Sequence, residues 1–185
     1  MKTYFITGGA GFIANTLIRQ LIDENQIVVY DNFSRDTLTE SGLADHHNIK
    51  VIRGDVLDLP LLTKSMQGAD AVIHAAGIAG IDTVIRNPVT TMKVNMIGTA
   101  NMLEAALKNK VPDRVIDFST SEVFGPMAFR STEEDQTVSG SAGEARWTYA
   151  VSKLAGEHLA KAYHSQYGLP VVTVRPFNIY GPGQT

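Results

Sequence analysis

The chain has 185 residues, of which 44% are hydrophobic and 19% are charged. These values are typical of a globular domain with a real core, and they exclude wholesale disorder. The net charge is −3 and no basic run occurs, so a nucleic-acid surface is not expected. The absence of cysteine excludes disulfides, cysteine nucleophiles and thiolate metal sites, and it fits a cytoplasmic protein. No apolar run is long enough to span a membrane.

The first predicted unit is a buried strand over residues 2–7, a glycine turn, and a helix from residue 12 to about 23. The turn follows the pattern Gly8-x-x-Gly11-x-x-Ala14. Such a turn brings backbone N–H groups and a helix N-terminus together, which makes an anion site. Ala14 replaces the third glycine, and its single methyl group predicts a slight shift of the helix. Gly-x-x-Gly alone can be a simple tight turn, but its flanking elements favour dinucleotide binding.

An acidic residue follows the second predicted strand, residues 26–30. Asp31 stands twenty residues after Gly11, where an acid of this fold accepts hydrogen bonds from the adenosine ribose. Its carboxylate also repels a 2′-phosphate, so NAD is favoured over NADP. Arg35 is the contrary signal, because it could bind such a phosphate. Asp31 could instead be a cap or turn residue.

Two more strands are predicted, Ile49–Arg53 and residues 70–74, after a polar stretch over 33–48 that allows a short helix. Asp55 either accepts the adenine amino group or caps a helix over 57–67, and these alternatives are even. The small residues Ala75-Ala76-Gly77 let a flat ligand approach the backbone. His74 is interpreted as a strand residue packed beside the cofactor. No second histidine has metal-ligand spacing with it, so no metal site is expected.

The middle of the chain predicts a loop near the active site over residues 80–86 and a long helix over 88–109. Pro88 suits the first turn of that helix. Asn95 on it holds a water or a backbone carbonyl near the active site, or is a buried, satisfied amide. The fifth strand, Arg114–Phe118, leads into Ser119-Thr120-Ser121-Glu122. These polar residues lie at a strand end, where open α/β sheets bind ligands.

A phenol and an ammonium stand four residues apart in Tyr149-x-x-x-Lys153, after a polar loop over 127–146 and on a helix reaching residue 167. Residues i and i+4 share one helix face. A free phenol has a pKa near ~10, and a nearby ammonium is expected to lower it. Such a phenol can remove a proton from a sugar hydroxyl while the carbon gives up hydride. Alone, the pair is weak evidence, because most such pairs are ordinary surface neighbours.

A sixth strand over 171–175 completes an alternation of strands and helices. This alternation predicts an α/β fold, in which a doubly wound parallel sheet carries helices on both faces. One Rossmann-type, dinucleotide-binding domain over residues 1–185 is expected.

Taken together, the motifs resemble a known family. In chain order they are Gly8-Gly9-Ala10-Gly11-Phe12-Ile13, Asp31-Asn32, Gly54-Asp55-Val56, His74-Ala75-Ala76-Gly77, Asn95-x-x-Gly98-Thr99, Ser119-Thr120-Ser121, Tyr149-x-x-x-Lys153 and Arg175-Pro176-Phe177-Asn178. The chain resembles the extended short-chain dehydrogenase/reductases, in the nucleotide-sugar epimerase/dehydratase group. The resemblance covers essentially the whole chain. Each motif is weak singly, but the set is highly specific.

The resemblance implies a bound NAD that takes hydride from C4 of a nucleotide-linked sugar. Tyr149 would accept the C4 hydroxyl proton, Lys153 would bind the nicotinamide ribose, and Thr120 would bond the same sugar oxygen. Asn178 matches an asparagine that contacts the sugar diphosphate. The implied cofactor-binding residues are Gly8, Gly11, Phe12, Ile13, Asp31, Asn32, Asp55, Val56, Ala75, Ala76, Gly77, Asn95, Tyr149 and Lys153. The implied substrate-binding residues are Thr120, Ser121 and Asn178.

Glu122 separates the reactions of this group. The order Thr120-Ser121-Glu122 looks like UDP-glucuronate decarboxylases and several dehydratases, and Arg146-Trp147 also resembles certain UDP-glucuronate decarboxylases. A 4-ketone acidifies the C5 hydrogen, and a carboxylate there can serve as base at C5 and acid at the C6 hydroxyl. Dehydration or decarboxylation is therefore expected. Glu122 could instead be a strand-end acid in a salt bridge, which leaves a 4-epimerase open. A non-catalytic NAD-binding module or inactive fragment is the alternative of another class.

Members of this group are usually longer and carry a C-terminal lobe that holds the nucleotide of the substrate. The chain stops shortly after Gly181-Pro182-Gly183, so this lobe is expected to be missing by truncation. In this family the helices over 89–109 and 149–167 often pair across a dimer axis. A homodimer is therefore expected. Its expected location is cytoplasmic, which the lack of cysteine fits.

Overall fold

A single parallel sheet organises the chain. The computed structural model describes residues 1–184, and its sheet has the strand order β3-β2-β1-β4-β5-β6. This is the Rossmann order, with its reversal between β1 and β4, so the predicted fold is confirmed. The strands are β1 Thr3–Thr7, β2 Gln26–Asp31, β3 Ile49–Arg53, β4 Ala71–His74, β5 Arg114–Phe118 and β6 Val171–Val174.

Seven α-helices connect the strands in the described part of the chain. They are α1 Phe12–Leu21, α2 Thr37–Glu40, α3 Leu59–Ser65, α4 Ile81–Arg86, α5 Pro88–Met92, α6 Gly98–Lys108 and α7 Ala145–Tyr167. Short 3₁₀ turns cover Leu43–Asp45 and Ser121–Phe124. Among residues 1–184, no helix combines the length and the apolar character needed to cross a bilayer.

Three helix predictions need correction. The loop expected over residues 80–86 contains helix α4. The long helix expected over 88–109 is one helical run, but its middle, Lys93–Ile97, is a wider π-helical turn between α5 and α6. Helix α7 begins at Ala145, inside the stretch predicted to be a loop.

Apolar side chains fill both faces of the sheet. On one face, Phe5, Val72 and Val115 pack in a cluster that includes Met102 of α6 and Ala160 of α7. On the other face lies a second cluster, which contains Ile6, Val29 and Ile73 of the strands and Ala14 and Ile18 of α1. Neighbouring residues of a strand therefore belong to opposite layers, as the period of a strand requires. The helix layers leave the carboxyl edge of the sheet open.

Candidate active site

The carboxyl ends of the strands open into one cavity of about 1150 Å³. Most of the predicted site residues line it, namely Gly8, Gly11, Phe12, Ile13, Asp31, Asn32, Asp55, Val56, Ala75, Ala76, Gly77, Thr120, Glu122, Tyr149, Lys153 and Asn178. Residues separated by most of the chain length therefore share one wall. Ser121 and Asn95 are the predicted site residues that lie outside this lining.

The glycine turn between β1 and α1 fits a diphosphate. Gly8 has a φ of +68°, and a Cβ atom there would lie 2.5 Å from the backbone nitrogen of Ala76. Gly11 is the N-cap of α1 and gives its first turn no side-chain hydrogen bond. The amides of that turn have no intrahelical acceptor, so they are available to an anion in the cavity. Ala14 is buried and packs in the cluster that contains Ile6 and Val29 of the strands.

Two backbone amides hold the carboxylate of Asp31 at the end of β2. Its Oδ2 accepts from Ala10 at 2.9 Å, and its Oδ1 accepts from Phe33 at 2.7 Å. Burial raises the pKa of Asp31, while the amides of Phe33 and Ala10 oppose that shift. The side chain is thus both a turn residue, through its bond to Phe33, and a preoriented acceptor at the cavity wall.

Asp55 is not the cap of the next helix. Asp58 is the N-cap of α3, and its carboxylate accepts from the amide of Leu61 at 3.0 Å. Asp55 instead accepts from the amide of Leu57 at 2.9 Å and lines the cavity. Of the two sequence-based alternatives, the capping role is therefore wrong.

The four predicted catalytic side chains meet in the cavity. Tyr149 and Lys153 stand one turn apart on α7, and Thr120 and Glu122 lie in the turn after β5. The Thr120 hydroxyl accepts from the amide of Glu122 at 3.2 Å, which fixes the turn that carries the carboxylate. The Nζ atom of Lys153 donates to the carbonyl oxygen of Phe118 at 2.7 Å.

The predicted lowering of the Tyr149 pKa is wrong for this structure. Burial raises the pKa of the phenol, the Thr120 hydroxyl opposes this shift, and the Glu122 carboxylate adds to it. Burial also lowers the pKa of the Lys153 ammonium, and Asp117 opposes that change. The ammonium donates to the carbonyl of Phe118 at the end of β5. The helix spacing of Tyr149 and Lys153 is therefore not enough by itself to lower the pKa of the phenol.

Asn95 positions the cavity wall from behind. Its Oδ1 accepts from the amide of Ile78 at 2.8 Å, and its Nδ2 donates to the Ile78 carbonyl and to the Ser152 hydroxyl, both at 3.0 Å. Ser152 in turn donates to the carbonyl oxygen of Tyr149 at 2.7 Å. Of the sequence-based alternatives, the satisfied buried amide is confirmed, and the backbone it holds belongs to the lining residue Ile78.

His74 is a fully buried strand residue outside the cavity lining. Its Nδ1 lies 2.6 Å from the Thr7 hydroxyl and its Nε2 lies 3.2 Å from the Thr99 hydroxyl. Thr99 donates its proton to the carbonyl of Asn95, so Nε2 must carry a hydrogen and Nδ1 must accept. Burial lowers the pKa of His74 to about 3, and it is neutral. Within residues 1–184, no cluster of His, Cys, Asp or Glu is placed to hold a metal ion.

An aromatic anchor fixes the start of α7. The Nε1 of Trp147 donates to the carboxylate of Glu144 at 2.9 Å, and the guanidinium of Arg146 stacks 4.8 Å from the centroid of the indole. Trp147 is buried, whereas Arg146 reaches the cavity lining. The preceding loop is therefore attached to the helix that carries Tyr149.

Sequence patterns missed two contributions to the site. Ile81, Val84 and Ile85 of α4 supply apolar lining where only a loop was expected; their i, i+3, i+4 spacing was the available signal. Asp117, a buried acid within β5, affects the pKa of Lys153 and was not singled out. Its signal was a charged residue inside an apolar strand.

Comparisons with known proteins agree with this geometry. Residues 4–185 match the family described as "NAD dependent epimerase/dehydratase family". A UDP-N-acetyl-alpha-D-glucosaminuronate decarboxylase from Bacillus cytotoxicus is 37% identical over 98% of this chain and 56% of its own length. The chain thus spans about half the length of the curated relatives it matches.

Two solved structures have closely similar folds. A UDP-N-acetylglucosamine 4-epimerase from Methanobrevibacter ruminantium has a TM-score of 0.89 and 29% identity, over 100% of this chain and 57% of its own. A dTDP-glucose 4,6-dehydratase from Streptomyces venezuelae, solved with NAD bound, has a TM-score of 0.88 and 31% identity, over 98% of this chain and 57% of its own. The chain therefore belongs to the NAD-dependent epimerase/dehydratase family of Rossmann-fold enzymes.

Proposed function

We propose that this chain binds NAD and oxidises a nucleotide-activated sugar at C4, after which the 4-keto sugar loses water or CO₂. The observation that carries the proposal is that one cavity is lined both by a dinucleotide-type glycine turn and by Thr120, Glu122, Tyr149 and Lys153. The dehydratases and decarboxylases among its relatives support elimination as the outcome.

The residues present fit NAD. The amides at the start of α1 suit its diphosphate, and the carboxylate of Asp31 suits a ribose with a free 2′-hydroxyl. Gly77 leaves space next to the Lys153 ammonium, because a Cβ atom at this position would lie 3.1 Å from Nζ of Lys153. When bound, NAD would supply the hydride acceptor for oxidation of the sugar and then the hydride donor that reduces the sugar left by elimination.

The side chains divide the proton chemistry between them. Tyr149 accepts the proton of the C4 hydroxyl as the carbon gives up hydride, and Thr120 donates a hydrogen bond to that oxygen. Since burial raises the pKa of the phenol, a cation near it is needed to favour the phenolate at neutral pH. Glu122 then takes the C5 proton and protonates the departing C6 hydroxyl in a dehydration, or orients the sugar as CO₂ leaves C5.

A panel of nucleotide sugars tests the proposal directly. We expect the chain to bind NAD in calorimetry and products to appear by mass spectrometry with the loss of water or CO₂. Glu122→Gln should abolish elimination, and Glu133→Gln in the exposed loop is the matched control. Elimination that continues unchanged in Glu122→Gln contradicts the role of Glu122. NAD binding without reduced nicotinamide on any nucleotide sugar would favour a non-catalytic module.

A 4-epimerase is the second candidate, because the fold superposes closely on that of a 4-epimerase. In that case the 4-keto sugar is reduced again on its other face, and no mass is lost. The two candidates separate cleanly, because epimerisation leaves the mass unchanged and survives Glu122→Gln. Product analysis by NMR decides between them.

The assembly and the location are proposed on separate grounds. Val89, Ile97 and Val151 are exposed apolar residues on the helices expected to pair, which supports a homodimer. Light scattering should report a dimer, and Val151→Glu should weaken it. A chain without cysteine supports a cytoplasmic location, which fractionation of the source cells would test.

A further inference from the structure

A buried acid lies behind the cavity. Asp117 is 2% exposed, and its Oδ1 atom has no hydrogen-bond partner among the described residues. It is not part of the cavity lining, so a ligand there does not explain it. A buried carboxylate is unfavourable unless an opposite charge compensates it. The compensating charge must therefore come from a neighbouring element.

The alternation of β5 shows which layer Asp117 faces. Val115, two residues earlier, packs in the cluster that contains Ala160 of α7. Phe118, the next residue, packs against the opposite cluster. Successive side chains of a strand point to opposite faces, so Asp117 points towards α7.

The facing stripe of α7 carries Lys153, Glu157 and Ala160, which share a side of the helix. The Lys153 ammonium is buried and donates to the carbonyl of Phe118, the residue adjacent to Asp117. Its hydrogen bond goes to the backbone. Within residues 1–184, no hydrogen bond joins the Asp117 carboxylate to this ammonium, so an interaction between the two charges acts through space, in surroundings that screen charge poorly.

The other carboxylate on this stripe of α7, Glu157, is already paired. Glu157 accepts hydrogen bonds from Arg175, whose Nη2 lies 2.7 Å from its Oε2. His74, the register partner of Asp117 on β4, is neutral because burial lowers its pKa to about 3. The π-helical turn and α6 contribute the uncharged Asn95 and Thr99 to this region. Lys153, in contrast, has no hydrogen bond to a carboxylate in the described part of the chain.

We propose that Asp117 is the buried counter-ion of Lys153 and a positioning residue for the site, which keeps the ammonium charged and directed to the cavity wall. The direction of both pKa shifts agrees with this. Burial raises the pKa of Asp117 to about 6, against the effect of Lys153, and Asp117 opposes the lowering of the Lys153 pKa by burial. This proposal rests on the proposed function only for the role of Lys153 in the site. The charge pairing itself requires neither cofactor nor sugar.

NMR titration of ¹³Cε-labelled lysines tests the pairing without any ligand. The Lys153 signal is assigned by its loss in Lys153→Met. In Asp117→Asn, which preserves size, the midpoint of Lys153 should fall by about one pH unit or more. Asp113→Asn is the matched control, since Asp113 is exposed and lies 2.7 Å from the Lys2 ammonium. It should lower the midpoint of Lys2 and leave that of Lys153 unchanged.

An unchanged Lys153 midpoint in folded Asp117→Asn overturns the proposal, because a merely structural carboxylate would not move it. Should Asp117→Asn fail to fold, the wild-type protein still decides. Its Lys153 signal should show a second, smaller step near the pH at which the Asp117 carboxyl titrates, and the labelled Asp117 carboxyl should show the reciprocal step when Lys153 titrates. The absence of both steps also overturns the pairing. Neither result depends on whether the chain turns over a nucleotide sugar.

Discussion

The Nζ atom of Lys153 lies 2.7 Å from the carbonyl oxygen of Phe118, so the lysine of the Tyr-x-x-x-Lys pair is attached to the end of β5. A buried ammonium with one backbone acceptor is anchored in direction but poorly solvated. Its role in the site therefore depends on the strand beneath it as much as on the helix that carries it.

Lys153→Met should change how stability varies at alkaline pH. Burial lowers the pKa of Lys153 below its usual 10.5, so between these values the unfolded chain binds more protons than the folded one. Relative to Lys153→Met, the wild type should therefore gain stability as pH rises through the window just below 10.5. Urea unfolding at several pH values measures it. Lys161→Met, an exposed change on the same helix, should retain this gain; equal slopes in all three proteins would contradict the expectation.

Asp117→Asn should alter stability in the acid range. The pKa of Asp117 is raised from 3.8 to about 6, so between these values the folded state binds more protons, and wild-type stability falls as pH rises. Relative to wild type, Asp117→Asn should thus gain up to about 3 kcal/mol on going from pH ~4 to pH ~7. Denaturant unfolding across this range gives the difference, with Asp113→Asn as control. A difference that does not depend on pH is incompatible with the shift.

Gly8→Ala should damage the site more than it damages the fold elsewhere. The left-handed backbone alone disfavours alanine by about 1–2 kcal/mol, and the added Cβ would also press on the backbone of Ala76. We expect the free energy of unfolding to fall by more than about 2 kcal/mol. The affinity for NAD should fall at least about tenfold. Gly68→Ala is the matched control, because its φ is also positive but open space surrounds it. Similar losses of affinity in both variants would refute the close-approach argument.

Asn95→Ala should loosen the cavity wall. It removes three hydrogen bonds to Ile78 and Ser152, so the free energy of unfolding should fall by roughly 2–4 kcal/mol, at about 1 kcal/mol for each bond plus a small cavity. NAD affinity should fall as well, since Ile78 lines the cavity. Asn109→Ala, which loses bonds to Thr63 and Ala105, should reduce stability only. Calorimetry with NAD separates the variants; full affinity in Asn95→Ala would rule out the positioning role.

The sheet could be predicted because each strand is a short apolar run followed by a glycine or a polar cluster. Residues after such runs must lie at one edge of a parallel sheet, so Asp31, Thr120 and Glu122 were placed correctly at the cavity. Helix α4 was missed because a single short amphipathic turn between glycine and proline carries little signal. The π-helical turn at Lys93–Ile97 has no sequence signature of its own.

Electrostatics was the least predictable property. Helix spacing correctly put Tyr149 beside Lys153, but the sign of the phenol's pKa shift depends on burial, which the sequence does not state. Asp117 escaped notice for a related reason: a charged residue within an apolar strand gives no hint of which layer it faces. Its relation to Lys153 follows from the packing of β5 against α7.

The anchoring of α7 also provides an optical reporter. Trp147 is the chain's single tryptophan, and its indole is buried between Glu144 and Arg146 at the rim of the cavity. All indole fluorescence therefore originates two residues from Tyr149. Its intensity and wavelength will follow ordering of that rim in the unmodified protein, without any attached dye.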